Sequence, residues 1–204
     1  MCYNLGMLTI VSAPNFVLSE KAKPINPKGI TEKKVKKLID EMKQTLQAAR
    51  NPEGVGLAAP QIGKSLQVFI AKPSTKSPFQ TFINPQVRTL NNINLNTDKP
   101  QNPRESESKS VKISEDPKKL EGCLSLKDVW GEVSRSSKIV ISYFDEEGNF
   151  HKRTFGGFIA TIIQHEYDHL NGILFPKRVL EQNGKLFKSH KNKKGEDIFD
   201  EIEI

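Results

Sequence analysis

The 204 residues contain two cysteines, Cys2 and Cys123. Two cysteines build no disulfide framework, and in a reducing compartment a lone thiolate is available as a metal ligand. No apolar run approaches the roughly 20 residues of a membrane helix. Residues 1–14 lack the basic start and long apolar block of a secretion signal, and they lack the arginine-rich pattern of a transit peptide. A cytosolic protein is therefore expected. Residues 54–63 are glycine-rich, but no Gly-Lys-Ser/Thr follows at the spacing of a phosphate loop. No nucleic-acid-binding motif is present.

Charge is plentiful and uneven. The net charge is +7, and residues 21–50 hold nine Lys/Arg against three Asp/Glu. Residues 185–194 add five lysines and no acid, and residues 195–204 follow with five acids and no base. Such a balance suits a ribosomal or other polyanionic surface, and equally a set of solvated lysine-rich faces. The length fits one domain with a real core. The expected division is a catalytic domain over residues 1–184 and a charged C-terminal tail over 185–204.

The chain is organised around Gln164-His165-Glu166-Tyr167-Asp168-His169-Leu170. On a helix, His165 and His169 lie on one face, about 6 Å apart. Both imidazoles can then bind one metal ion, and Glu166 can reach a water there. The alternative is a core helix with hydrogen-bonded histidines, but His, Glu and Asp side chains in an apolar helix would need many separate partners. Residues 158–163 are apolar almost all round, as a buried helix requires. Gly172 stands where a C-terminal cap belongs.

Elsewhere the spacing of Val35, Leu38, Ile39, Met42, Leu46 and Ala49 predicts an amphipathic helix over 32–49, capped by Thr31. Residues 54–63 read as tight packing or as a strand edge against which a peptide can lie. Strands are expected over 66–71 and 81–87, and a hairpin over 138–155 turning at 145–149. Residues 91–118 have loop composition and read as a polar insertion. Residues 187–204 give at best a short helix.

A catalytic metal site wants three protein ligands and an open position. His151 lies in a hairpin strand and His190 in the lysine-rich tail. Cys123 is the better third ligand, in a glycine-flanked turn just ahead of the hairpin that leads into the helix. A free cysteine is otherwise most often a small buried apolar residue.

Three motifs together resemble those of peptide deformylase, in the same order. They are Gly54-Val55-Gly56-Leu57-Ala58-Ala59-Pro60-Gln61, Glu121-Gly122-Cys123-Leu124-Ser125 and the His165 to His169 segment. The flanks around Ser12-Ala13-Pro14, Gly131-Glu132-Val133-x-Arg135 and Gly172-Ile173-Leu174-Phe175 agree, so the resemblance covers about residues 8–180. It implies an α+β fold with antiparallel sheets around a central helix carrying the two histidines. It implies a hydrolase that removes the formyl group from the initiator methionine of nascent bacterial chains, with N-formylmethionyl peptide as partner. The ligands would be Cys123, His165 and His169, and the ion Fe²⁺, replaceable by Zn²⁺, Ni²⁺ or Co²⁺. Glu166 would be the general base and then the general acid. Gln61 and the backbone N–H of Leu124 would form the oxyanion hole. Gly54, Val55, Gly56, Glu121, Phe158, Thr161 and Ile162 would bind substrate. The last three lie seven, four and three residues before His165, on its helix face.

Lys127 stands where many members carry proline, Trp130 follows in the region bordering the pocket, and Thr161 is smaller than residues often found there. A cytoplasmic bacterial monomer with no membrane contact is expected, and the lysine cluster of 185–194 is expected to meet the ribosome. Two other readings are a drifted or inactive ribosome-associated relative and another His-Glu-x-x-His metallohydrolase. Cys123 disfavours the metallohydrolase, because most such peptidases take His or Glu as third ligand. The presence of Cys123, Glu166 and Gln61 disfavours the inactive relative.

Overall fold

The computed structural model describes residues 6–50, 53–89 and 118–203. The expected insertion at 91–118 lies outside these, save Lys118. A short 3₁₀ turn, Pro27–Gly29, leads into helix α1 (Lys33–Ala48), which buries Val35, Ile39, Met42 and Leu46 on one stripe. The 3₁₀ turn delays the start of the helix by a residue. Glu32, not Thr31, is the N-cap, and its carbonyl accepts from the N–H groups of Val35 and Lys36.

Five strands form the larger sheet: β1 (Gly56–Ala58), β2 (Val68–Ala71), β3 (Gln80–Thr89), β6 (Lys138–Phe144) and β7 (Phe150–Gly156). They run antiparallel in the order β1-β2-β3-β6-β7, so β1 is an edge strand, as a peptide-binding edge must be. Pro85 cannot donate to the ladder, and β3 accommodates it with a register shift between Ile83 and Gln86. Asn84, at φ 49°, binds both the N–H and the carbonyl of Ile25 from that bulge.

Helix α2 (Phe158–Leu170) packs on this sheet. Its Ala160, Ile162, Ile163 and Leu170 join Phe69, Phe82, Ile139, Ile141 and Tyr143 in one core cluster. Gly172 follows the C-cap residue Asn171 in the left-handed region, φ 69°, as expected. On the other face of the larger sheet, α1 contributes Val35, Ile39, Met42 and Leu46 to a second cluster with Leu57, Val68, Ile70 and Ile83. Leu57 and Ala58, and likewise Phe69 and Ile70, alternate between the two clusters, the period-2 pattern of a sheet covered on both sides.

The smaller sheet holds β4 (Lys119–Cys123), β5 (Leu126–Val133), β8 (Leu186–Lys191) and β9 (Asp197–Ile202), also antiparallel in that order. Helix α3 (Phe175–Glu181) packs Phe175 and Val179 against Cys123 and Val133. The expectation for 187–204 is corrected. The segment is a β-hairpin, because β8 pairs with β5 and supplies a partner strand that local sequence does not reveal. Among the described residues no helix is long and apolar enough to cross a membrane.

Candidate active site

The β4–β5 hairpin closes tightly, with Cys123 opposite Leu126 and only Leu124-Ser125 between them. That turn holds the Cys123 thiol against the buried face of α2. Sγ lies 3.2 Å from His169 Nε2, and the donor atoms of Cys123, His165 and His169 all fall within 4.8 Å of one another. The N-terminal segment straps the surrounding loops. Val11 N–H donates to the Gln61 carbonyl at 2.7 Å, and Ala13 N–H donates to the Ser125 carbonyl at 2.9 Å.

The residues around this triad orient it. The Gln61 side chain is 1 % exposed; its Oε1 accepts from Ala58 N–H at 2.8 Å, and its Nε2 donates to Cys123 Sγ at 3.4 Å. The amide is thereby fixed with its donor turned toward the centre. His165 Nδ1 lies 3.1 Å from Glu121 Oε2, which leaves Nε2 for the triad. Glu121 is held in turn by two bonds from Arg135, at 2.9 and 3.0 Å. Arg135 also donates to Asp168 at 2.6 Å, and Arg178 donates twice to the same carboxylate. A chain of alternating charges, buried except at Arg178, thus ties β4, the segment after β5, α2 and α3 together. Glu121 borders the cleft as expected, but its carboxylate is committed to Arg135 and His165.

Glu166 is 3 % exposed, and its Oε2 has no partner among the described residues; nor has His169 Nδ1. Burial pushes the Glu166 carboxyl up to about 7; the charges of His165 and His169 offset part of this, while those of Cys123 and Glu121 add to it. Gly56 of β1 faces this carboxylate so closely that any β-carbon would collide with it. At Cys123 burial alone would raise the thiol, but the charges and hydrogen bonds of His169 and His165 hold it well below its usual value. At Glu121 burial is likewise outweighed by bonds from His165 and Arg135, which bring it down to about 2.

These observations fit a metal ion. A thiolate favoured by two imidazoles, a mixed sulfur and nitrogen donor set, and a carboxylate that orients one histidine from behind are the parts of a soft-to-borderline divalent site. Because the ligands bind as a thiolate and neutral imidazoles, metal binding would release whatever protons they carry.

A cleft of about 260 Å³ opens beside the triad. Its walls include Gly54, Val55, Gly56, Gln61, Glu121, Cys123, Leu124, Phe158, Thr161, Ile162, His165 and Glu166, together with Glu53, Lys119, Leu120, Gly122 and Trp130. Every residue that the sequence nominated for substrate or catalysis therefore borders one cleft. His169 closes the triad beneath it. Sequence reasoning missed the roles of Arg135, Asp168 and Arg178. Their signal was present as a buried-helix aspartate in need of a cation.

A His-Glu-x-x-His helix packed on antiparallel sheets and faced by a cysteine defines an α+β metallohydrolase. The family model for polypeptide deformylase matches residues 7–185. The chain belongs to the peptide deformylase family. It is 33 % identical over 178 residues to the peptide deformylase of Chlorobium luteolum, covering 85 % of this chain and 78 % of that one. It is 33 % identical over 183 residues to that of Christiangramia forsetii, covering 90 % and 87 %. A class I type b peptide deformylase from Acinetobacter baumannii superposes with a TM-score of 0.67 at 31 % identity, covering 85 % of this chain and 99 % of that one. The Synechococcus elongatus enzyme in complex with actinonin gives 0.66 at 31 %, covering 84 % and 79 %.

Proposed function

We propose that the protein hydrolyses the formyl group from the N-formylmethionine of nascent polypeptides, with Cys123, His165 and His169 holding one divalent metal ion. The observation that carries the residue assignment is the convergence of those three donors within 4.8 Å at the base of a cleft that Glu166 and Gln61 also line. Family membership carries the reaction. A bound divalent ion supplies Lewis acidity, which makes hydroxide available near neutral pH and polarises a carbonyl.

The chain's own residues do the rest. Glu166 accepts a proton from the attacking water and returns it to the departing amine, so that water and formamide give formate and a free amino terminus. Burial in the metal-free chain raises this carboxyl toward neutrality, which favours its taking up a proton. Negative charge develops on the formyl oxygen, and the Gln61 amide and the Leu124 N–H meet it. One such preorganised donor is worth roughly 3 to 4 kcal/mol. Phe158, Thr161 and Ile162 wall an apolar slot suited to a methionine side chain. The β1 edge at Gly56, with Gly54 and Val55 leading into it, receives the peptide backbone as an added strand. A relative from A. baumannii is known with Met-Ala-Ser bound, which suits a short peptide in the corresponding cleft here.

The sulfur and nitrogen donors favour Fe²⁺, Zn²⁺, Ni²⁺ or Co²⁺ over Mg²⁺ or Ca²⁺, and we assign Fe²⁺. Oxygen should then inactivate the purified protein, and Ni²⁺ or Co²⁺ exchange should protect it. We further read residues 1–184 as the catalytic domain, with 185–204 as an appended hairpin whose lysines meet the ribosome. The working form is a cytoplasmic monomer.

The test combines hydrolysis of formyl-Met peptides by anaerobically prepared protein with X-ray absorption at the metal edge. The expected result is formate release and a first shell of one sulfur and two nitrogens. Cys123→Ala should lose metal and activity together. A sulfur-free shell sinks the ligand assignment, and absence of formate release sinks the function.

A further inference from the structure

One face of the smaller sheet carries a linked set of side chains. Gly122 stands opposite Trp130, Trp130 opposite Phe187, and Ser189, two residues on from Phe187, opposite Phe199. The period of two puts all of them on the same face. The Trp130 ring covers Gly122 so closely that a β-carbon there would lie 3.0 to 3.1 Å from three ring carbons. Its Nε1 donates to Ser189 Oγ at 3.1 Å. Its plane meets Phe199 edge to face, with centroids 5.8 Å apart and planes at 85°. The same indole borders the catalytic cleft, beside Leu120 and Phe158. Those two are 43 % and 54 % exposed, large apolar side chains left open at the rim.

We propose that Trp130 is a specificity-determining wall of the cleft, and that the C-terminal hairpin, through Ser189 and Phe199, is the element that positions it. The inference rests on the deformylase reading and names the feature of the peptide it selects: an apolar or aromatic side chain downstream of the formylmethionine. Three observations carry it. Trp130, Leu120 and Phe158 make an apolar rim around an otherwise polar catalytic centre. The bond to Ser189 and the contact with Phe199 fix the indole in advance, so a side chain packing on it bears no cost for ordering the wall. Neither Ser189 nor Phe199 borders the cleft, so any effect they have on substrate choice is transmitted through the indole.

The test uses the full chain loaded with its metal and a series of formyl-Met-Ala-X peptides, with X as Phe, Leu, Asp or Lys. Trp130 is the only tryptophan, so intrinsic fluorescence reports its surroundings directly. Phe199→Ala should shift that emission to the red. It should raise KM for X as Phe or Leu by about 2- to 10-fold, the range of one lost aromatic contact, with kcat within two-fold. Peptides with X as Asp or Lys should change little. Phe199→Tyr should restore the preference. Ser189→Ala, a smaller change, should move KM in the same direction and keeps the test open if Phe199→Ala folds poorly. A uniform loss across all four peptides, or a shifted emission with unaltered KM values, overturns the proposal. If the unaltered protein deformylates none of the peptides, the functional reading itself has failed, and the emission of Phe199→Ala still shows whether the hairpin sets the ring.

Discussion

At the scale of single residues, Glu166 is where burial and chemistry meet. It is nearly inaccessible, one of its oxygens has no partner among the described residues, and only a glycine at position 56 leaves room for it. Glu166→Ala should keep the fold and the bound metal while deformylation falls by at least roughly 10²- to 10⁴-fold, mostly in kcat. Metal content and steady-state kinetics on one preparation check this. Full activity would remove the proton-transfer role, and metal loss would give Glu166 a structural one. The same burial has a consequence for stability. The carboxyl is raised from 4.5 to about 7 in the folded chain. A raised carboxyl contributes its full stabilisation below about 4.5, and that contribution is lost as the pH climbs through about 7. Metal-free protein should therefore weaken by about 3 kcal/mol between pH 4.5 and 7.5 from this group alone. Glu166→Gln should flatten that slope in urea unfolding followed across the range. An unchanged slope would show that the charge of Glu166 is not what the metal-free fold resists.

At the scale of elements, α2 is fastened along its length. Gln164 exchanges two hydrogen bonds with the backbone of Ser136, and Asp168 takes bonds from Arg135 and Arg178. Arg135 joins this helix to Glu121 of β4, and Glu121 orients His165. Arg135→Met leaves two buried carboxylates short of a cation, which should cost about 3 to 5 kcal/mol. It should also lower metal affinity by roughly 10- to 100-fold, because the carboxylate behind a ligand histidine loses its anchor. Chemical denaturation and metal titration read the two effects separately, and a variant as stable as the parent would contradict the account. Much of this element-scale picture was legible beforehand. His165 and His169 announce themselves through spacing alone, α1 through its apolar stripe, and β6 and β7 through alternation around a five-residue polar turn. The misses share a physical cause. The 187–204 hairpin is docked by the pairing of β8 with β5, more than 50 residues earlier, β4 and β5 meet at a Leu-Ser turn that carries no Asn-Gly or Asp-Gly signal, and α3 is seven residues long, too short for periodicity to register. Arg135 was visible only as a motif residue, since its two carboxylate partners lie 14 and 33 positions away.

At the scale of the whole molecule, the block of lysines followed by a block of acids near the C-terminus is the charge pattern of a hairpin. Antiparallel pairing brings Lys185 to Glu201 and Lys191 to Asp197, at 2.8 and 2.7 Å, and His190 to Asp200 at 3.2 Å. The positive field of residues 185–194 is thereby largely balanced across the ladder. These exposed pairs add little stability, but they fix the register of an edge hairpin whose Ser189 and Phe199 hold Trp130. Removing residues 185–204 accordingly takes two strands from a four-stranded sheet, and is no test of a loose tail. Lys188 on β8 and Lys193 and Lys194 at the turn make no ion pair among the described residues, and the two at the turn stand closest together. Lys193→Glu combined with Lys194→Glu should leave hydrolysis of small formyl peptides unchanged and reduce co-sedimentation with ribosomes at low salt. The unaltered protein should lose that association as salt rises past about 0.15 M, where charges more than about 8 Å apart are screened. Equal sedimentation of variant and parent would make the turn an ordinary solvated surface. The nine Lys/Arg of residues 21–50, on α1 and beside it, would then be the next basic cluster to test.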